Sequence, residues 1–201
     1  MLRTKLLALC GLAALLPAGT AFAEANHPLY IPTRDVAVTY TLDHEGPGAP
    51  KQAHLYYSAS TNRLRLERPG MKGFVIIDRA AKTMTVVLGP THIYFQMPLD
   101  PQLGGGFILN SDMKFVREGS GKIAGQPCTN WQVESGVATG SACVTDDGVI
   151  LASHGRMKNG PGHGGLEATE VSYDPQPLTL FVPPAGFTQI DASQAARALG
   201  R

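Results

Sequence analysis

From residue 34 onward polar and apolar residues alternate. Val36, Val38, Tyr40 and Leu42 point one way and Ala37, Thr39 and Thr41 the other. A period of two marks a half-buried strand. Residues 45–50, rich in glycine and proline, predict a turn, and residues 54–57 and 64–67, split by Ser60, Thr61 and Asn62, read as the next two strands. Residues 74–78 and 83–88 are β-branched runs around a short polar connection, the pattern of an antiparallel hairpin. Gly89 and Pro90 stop it, and residues 91–97, with Ile93, Tyr94 and Phe95, predict a sixth strand.

Residues 98–111 break the pattern: Gly104, Gly105 and Gly106 precede Phe107, Ile108 and Leu109. Two readings stay open, a mobile flap and a surface loop with an apolar anchor. Strands are then predicted at 113–118, on both arms of a central hairpin, at 149–157 and at 166–173, with a glycine-rich loop at 158–165. Pro175 and Pro177 lead into the apolar run 178–182, and residues 183–187 close the sheet region. Residues 191–199 form the one clear helix signal. Roughly ten strands spaced by turns, with one or two short helices, predict a mainly β, antiparallel sandwich or barrel.

The central hairpin holds the single tryptophan. With Ser135 and Gly136 at the turn centre, Cys128 falls opposite Cys143, Trp131 opposite Gly140, and Val133 opposite Ala138. An indole over a glycine is a pairing that rescues a weak strand position. The cysteines share the more polar face with Asn130, Gln132 and Glu134, while Trp131 lies on the core face. In an exported chain this places a Cys128–Cys143 disulfide. Closing a loop of about 15 residues is worth about 3 kcal/mol.

Export is read from the start of the chain. Arg3 and Lys5, the apolar stretch 6–16, and Ala21, Phe22 and Ala23 form a signal sequence with cleavage after Ala23. The apolar stretch is too short to span a bilayer, which takes about 20 residues. Cys10 follows Leu9, where a lipid-attachment site wants a small residue, so no lipid anchor is expected. The expected location is the periplasm, with no membrane insertion. Residues 24–201 are expected to form a single domain. The 17 Lys and Arg stand against 16 Asp and Glu, and losing Arg3 and Lys5 with the leader leaves one net negative charge. With no basic block, nucleic acid is excluded as a main partner.

Catalytic and cofactor motifs fail on context. Residues 160–165 fit G-x-G-x-x-G, but a strand-like segment follows where a dinucleotide site needs a helix. Gly119, Ser120, Gly121 and Lys122 resemble a phosphate loop without its Ser or Thr, and both stretches are expected to be turns. Asp146, Asp147 and Gly148 fit a hairpin turn, and Arg34 beside Asp35 suggests an edge ion pair. None of the six histidines forms an H-x-x-x-H pair; His154, Met157 and His163 are a weak candidate set for a soft metal such as copper. No cofactor and no enzymatic activity is expected.

Residues 31–36, 76–78, 84–86, 123–128, 143–151 and 181–187 together resemble the exported bacterial proteins grouped as DUF4412. Such domains are similar to the LolA/LolB lipoprotein-carrier superfamily. That resemblance implies a curved antiparallel sheet forming an incomplete barrel, closed by helices around an apolar cavity. It carries no established activity, and this chain offers one clear helix where lipoprotein carriers use several segments as a lid.

The expected function is a soluble periplasmic binding protein that takes an apolar ligand, a lipid or an acyl chain, or an envelope partner on the concave sheet face. Candidate lining residues are Tyr40, Phe74, Ile76, Val86, Tyr94 and Trp131. The alternatives are a structural envelope protein in which these residues pack on Phe181, Phe187 and the final helix, and a metal-handling protein using His154, Met157 and His163.

Overall fold

The computed structural model describes residues 26–43, 51–99 and 107–198. The expected leader, the 45–50 turn and the three consecutive glycines lie outside these residues. The strands are β1 (Val36–Asp43), β2 (Gln52–Ser58), β3 (Arg63–Glu67), β4 (Gly73–Asp78), β5 (Thr83–Leu88), β6 (Ile93–Pro98), β7 (Lys114–Ile123), β8 (Gln126–Glu134), β9 (Ala138–Val144), β10 (Ile150–Met157), β11 (His163–Ser172) and β12 (Thr188–Gln189), followed by helix α1 (Ala192–Ala198). They form one 12-stranded sheet in the order β12-β6-β5-β4-β3-β2-β1-β11-β10-β9-β8-β7. Pairing is antiparallel throughout except where β12 joins β6. The two ends of the order do not pair, so the sheet is open, an incomplete barrel.

Its curvature has a local cause. The register slips by one residue between β1 and β11, between β9 and β10, and between β7 and β8. Each such bulge bends its strand and increases its twist.

Register assigns every side chain to a face. Val36, Val38 and Tyr40 of β1 stand beside Tyr57, Leu55 and Ala53 of β2, and the row continues through Leu64, Ile77 and Met84 on one side. On the other side it continues through Leu166, Ser153, Ala142 and Trp131. This inner face carries most of the core. Tyr40 is 1 % exposed, and its hydroxyl donates to the Ile150 carbonyl at 2.7 Å. Burial raises the Tyr40 pKa, so the hydroxyl stays protonated and remains a donor.

The outer face is covered along β3–β5. Within the apolar run 178–182, Leu178–Phe181 form a 3-10 turn. Phe181 is buried there, Arg65 donates to the Leu180 carbonyl at 2.9 Å, and the Arg65 guanidinium lies 3.4 Å above the Phe74 ring. Prolines on both sides limit this run's backbone hydrogen bonding and suit it to a covering segment.

Two glycine stretches behave differently from expectation. Gly119, Ser120, Gly121 and Lys122 lie inside β7 beside its bulge, and the turn comes at Ala124 and Gly125, both at positive φ. His163, Gly164 and Gly165 already belong to β11. Hydrogen-bonded pairing with neighbouring strands outweighs the weak intrinsic strand preference of glycine.

Arg34 pairs with Asp147 at 2.7 Å, not with Asp35, whose carboxylate accepts the Ala59 and Gln176 amides. The Arg34 guanidinium also stacks on the Tyr173 ring at 3.5 Å. Thus the lead-in to β1 is fastened to the β9–β10 turn, where Gly148 has φ of +89° and a β-carbon would lie 2.3 Å from the Ile31 carbonyl oxygen.

Burial pushes the Asp147 pKa up, but hydrogen bonds from Thr145 and Arg34 outweigh it and hold the carboxyl below its ordinary value. A carboxylate depressed in the fold contributes stability above its unfolded pKa of about 4 and loses it as pH falls through the folded value. Wild type is therefore expected to lose more Tm than Asp147→Asn between pH 7 and about pH 3. Parallel Tm curves for the two proteins would contradict this role of Asp147.

Candidate functional site

The inner face is filled in its middle and hollow at one end. Phe107, Ile108 and Leu109 lie against it, all buried, with the Phe107 ring edge-on to Tyr40 at 5.5 Å. On the side toward Val36 and Tyr57 this plug leaves a void of about 20 Å³. On the other side lies a cavity of about 460 Å³. Its apolar wall includes Leu42, the three plug residues, Met113, Val133, Ala142 and Leu166.

The floor of this cavity has a simple origin. Gly140 of β9 stands opposite Gly155 of β10, which stands opposite Gly164 of β11. Three neighbouring strands thus present no side chain at one inner-face row. A β-carbon at Gly140 would fall 2.0 Å from the His154 carbonyl oxygen, so this strand contact excludes any larger residue. At Gly155 the nearest atom to such a carbon is the Thr139 carbonyl oxygen at 3.6 Å, an ordinary contact.

The six lining candidates do not share a surface. Tyr40, Val86 and Trp131 fall on the inner face, and Phe74, Ile76 and Tyr94 on the outer one. Tyr40 and Trp131 are core side chains, Trp131 lying edge-on to Phe115 at 6.3 Å. Phe74 sits beneath Arg65, Ile76 is buried, and the Tyr94 hydroxyl donates to Gln189 Oε1 at 3.4 Å. None of the six lines the large cavity.

His154 and His163 project from the outer face, where they line a polar groove of about 600 Å³ with Asp43, Gln132, Glu134, Ser141 and Arg156. Strand alternation turns Met157 to the inner side, where it borders the cavity. The three therefore do not converge. Among the described residues, no group of three or more His, Cys, Asp or Glu side chains is arranged to hold a metal ion.

The disulfide forms between Cys128 and Cys143, with Cα atoms 5.4 Å apart. Both cysteines are buried, at 5 % and 4 % exposure, on the face that carries Asn130, Gln132 and Glu134. The register of this hairpin is shifted by two residues from expectation. Trp131 pairs with Ala142 and Val133 with Gly140, so the bridge is diagonal, Cys143 lying opposite Asn130. Gly121 of β7 pairs with Cys128, and a β-carbon there would lie 3.2 Å from the Cys143 Sγ. The stretch that resembles a phosphate loop thus makes room for the bridge.

What the sequence reading missed is the floor of the cavity. Gly140, Gly155 and Gly164 read separately as turn or weak-strand residues, and only their alignment across three strands produces a floor.

No family model and no curated protein sequence matches the chain. Solved structures do. An uncharacterized conserved protein from Thermus thermophilus superposes with a TM-score of 0.54 at 15 % identity, over 79 % of this chain and 91 % of that one. PNGF-II gives 0.52 at 14 % identity over 82 % of this chain, and MucB 0.50 at 15 % identity over 76 %. The chain spans only 32 % of PNGF-II and 58 % of MucB. At these identities the likeness is one of fold. Among the described residues, no helix is long and apolar enough to cross a membrane.

Proposed function

We propose that the protein is an exported, periplasmic, non-enzymatic binding protein that takes an apolar ligand, a lipid or acyl chain, at the inner face of its open sheet. The observation that carries this reading is the cavity of about 460 Å³ between the plug and the glycine floor. That volume is in the range of small-molecule pockets, and an apolar wall with polar groups at the rim is the usual composition of such sites. The leader read from residues 1–23 and the buried disulfide support an oxidising compartment. The fold likeness to MucB and the Thermus protein is consistent with this reading and names no ligand.

Gly155→Leu tests the site directly. Its β-carbon would make only the ordinary 3.6 Å contact with the Thr139 carbonyl oxygen, at an inner-face position on the cavity floor. Binding of a fluorescent apolar dye is expected to weaken at least tenfold, about 1.4 kcal/mol, with the circular dichroism spectrum unchanged. Wild-type protein that binds no dye and co-purifies with no lipid in native mass spectrometry would leave the filled-core, structural role standing instead.

A further inference from the structure

Charged side chains stand among the residues that line the cavity. Residue 68 directly follows β3, whose Leu64 and Leu66 stand on the inner face. It is an arginine, half-buried, and it lines the cavity. Among the described residues its guanidinium has no acidic partner, whereas Arg34, Arg63 and Arg65 are each paired with a carboxylate. The lining also contains Arg156, His154 and His163 against a single carboxylate, Asp43. Asp43 and Arg156 belong to outer-face register positions, which leaves Arg68, among the described residues, as the remaining Arg, Lys, Asp or Glu side chain of the lining.

A guanidinium offers planar donors matched to a carboxylate or phosphate. Partial burial beside an apolar wall strengthens such a contact relative to open water.

Resting on the cavity reading above, we infer that the ligand is an anionic amphiphile whose apolar tail lies against Phe107, Ile108 and Leu109 and whose acid group meets Arg68. A neutral apolar molecule of the same length would fill the same cavity and leave Arg68 without an acidic partner among the described residues.

Arg79 provides an internal control. It also lies on the inner face, half-buried beside Tyr57 and Leu64 and without an acidic partner among the described residues. It borders only the small void on the far side of the plug.

The test is competition of dodecanoate and of dodecanol against a fluorescent apolar dye, above neutral pH, on wild type, Arg68→Gln and Arg79→Gln. Wild type is expected to prefer dodecanoate about tenfold, the lower end for a hydrogen bond to a charged group. Arg68→Gln is expected to bind the two alike, with dodecanol affinity unchanged, so dodecanol binding itself reports an intact cavity. Arg79→Gln should keep the wild-type preference. Equal affinities in wild type would overturn the acid-group inference while leaving the cavity reading intact. A preference that survives in Arg68→Gln would overturn the role of Arg68. If neither probe binds wild type, both readings fall.

Discussion

Phe107→Ala is expected to lower the unfolding free energy by about 3–5 kcal/mol, the usual cost of truncating a core phenylalanine. Phe107 is only 9 % exposed and packs edge-on to Tyr40, itself fully inside. The residue also separates the cavity of about 460 Å³ from the void of about 20 Å³. Its removal should therefore do two things at once: reduce the urea midpoint and enlarge the space open to an apolar dye. Tighter dye binding by a less stable protein is the signature of a plug that both fills and limits the inner face. A loss under about 1 kcal/mol would mean that residues 107–109 do not occupy this face in solution, since exposed substitutions usually stay near that level or below it.

Replacing both Cys128 and Cys143 with serine is the second large effect. The bridge closes a loop with a sequence separation of 15. Constraining a loop of that size is worth about 3 kcal/mol in the chain-entropy model. Because both positions are buried, two serine hydroxyls would also need partners, adding about 1–3 kcal/mol for each left unsatisfied. Urea unfolding of the double variant against wild type under non-reducing conditions measures the difference. Thiol titration of unreduced wild type after unfolding should find neither of these cysteines free. Two reactive thiols in protein isolated from an oxidising compartment would refute the bridge.

Much of the architecture was legible from period and punctuation. The β4–β5 hairpin, the alternation of β1 and the short C-terminal helix follow from local pattern, because strand and helix periods are properties of neighbouring residues. The disulfide was legible too, even with the wrong register. Residues one diagonal step apart across a strand pair are still close enough to bridge, and the 5.4 Å Cα separation shows this.

The register was not legible, for a specific reason. Ser135 and Gly136 read as the turn centre, but the Ser135 hydroxyl accepts the Val137 and Ala138 amides, and the Ser135 amide donates to the Ala138 carbonyl. The turn is therefore drawn toward Val137 by side-chain hydrogen bonds that compete with a tighter connection. A shift of two residues preserves faces, so Trp131 still points to the core and the cysteines still share the polar face. It changes neighbours, however: the indole no longer covers Gly140.

That change of neighbour separates the two sources of this protein's properties. By itself the sequence determined a mainly β antiparallel chain, its main turns, the cysteine pair and a surplus of apolar residues needing burial, because these depend on local periodicity and composition. Only the tertiary structure decided which aromatic residues face each other, that Phe74, Ile76 and Tyr94 lie on the opposite side from Tyr40, and that three separate glycines align beneath Phe107, Ile108 and Leu109. A cavity is a mismatch between surfaces brought together from distant parts of the chain. Its position is set by register and by the path of the plug, and neither is encoded in any one stretch of residues.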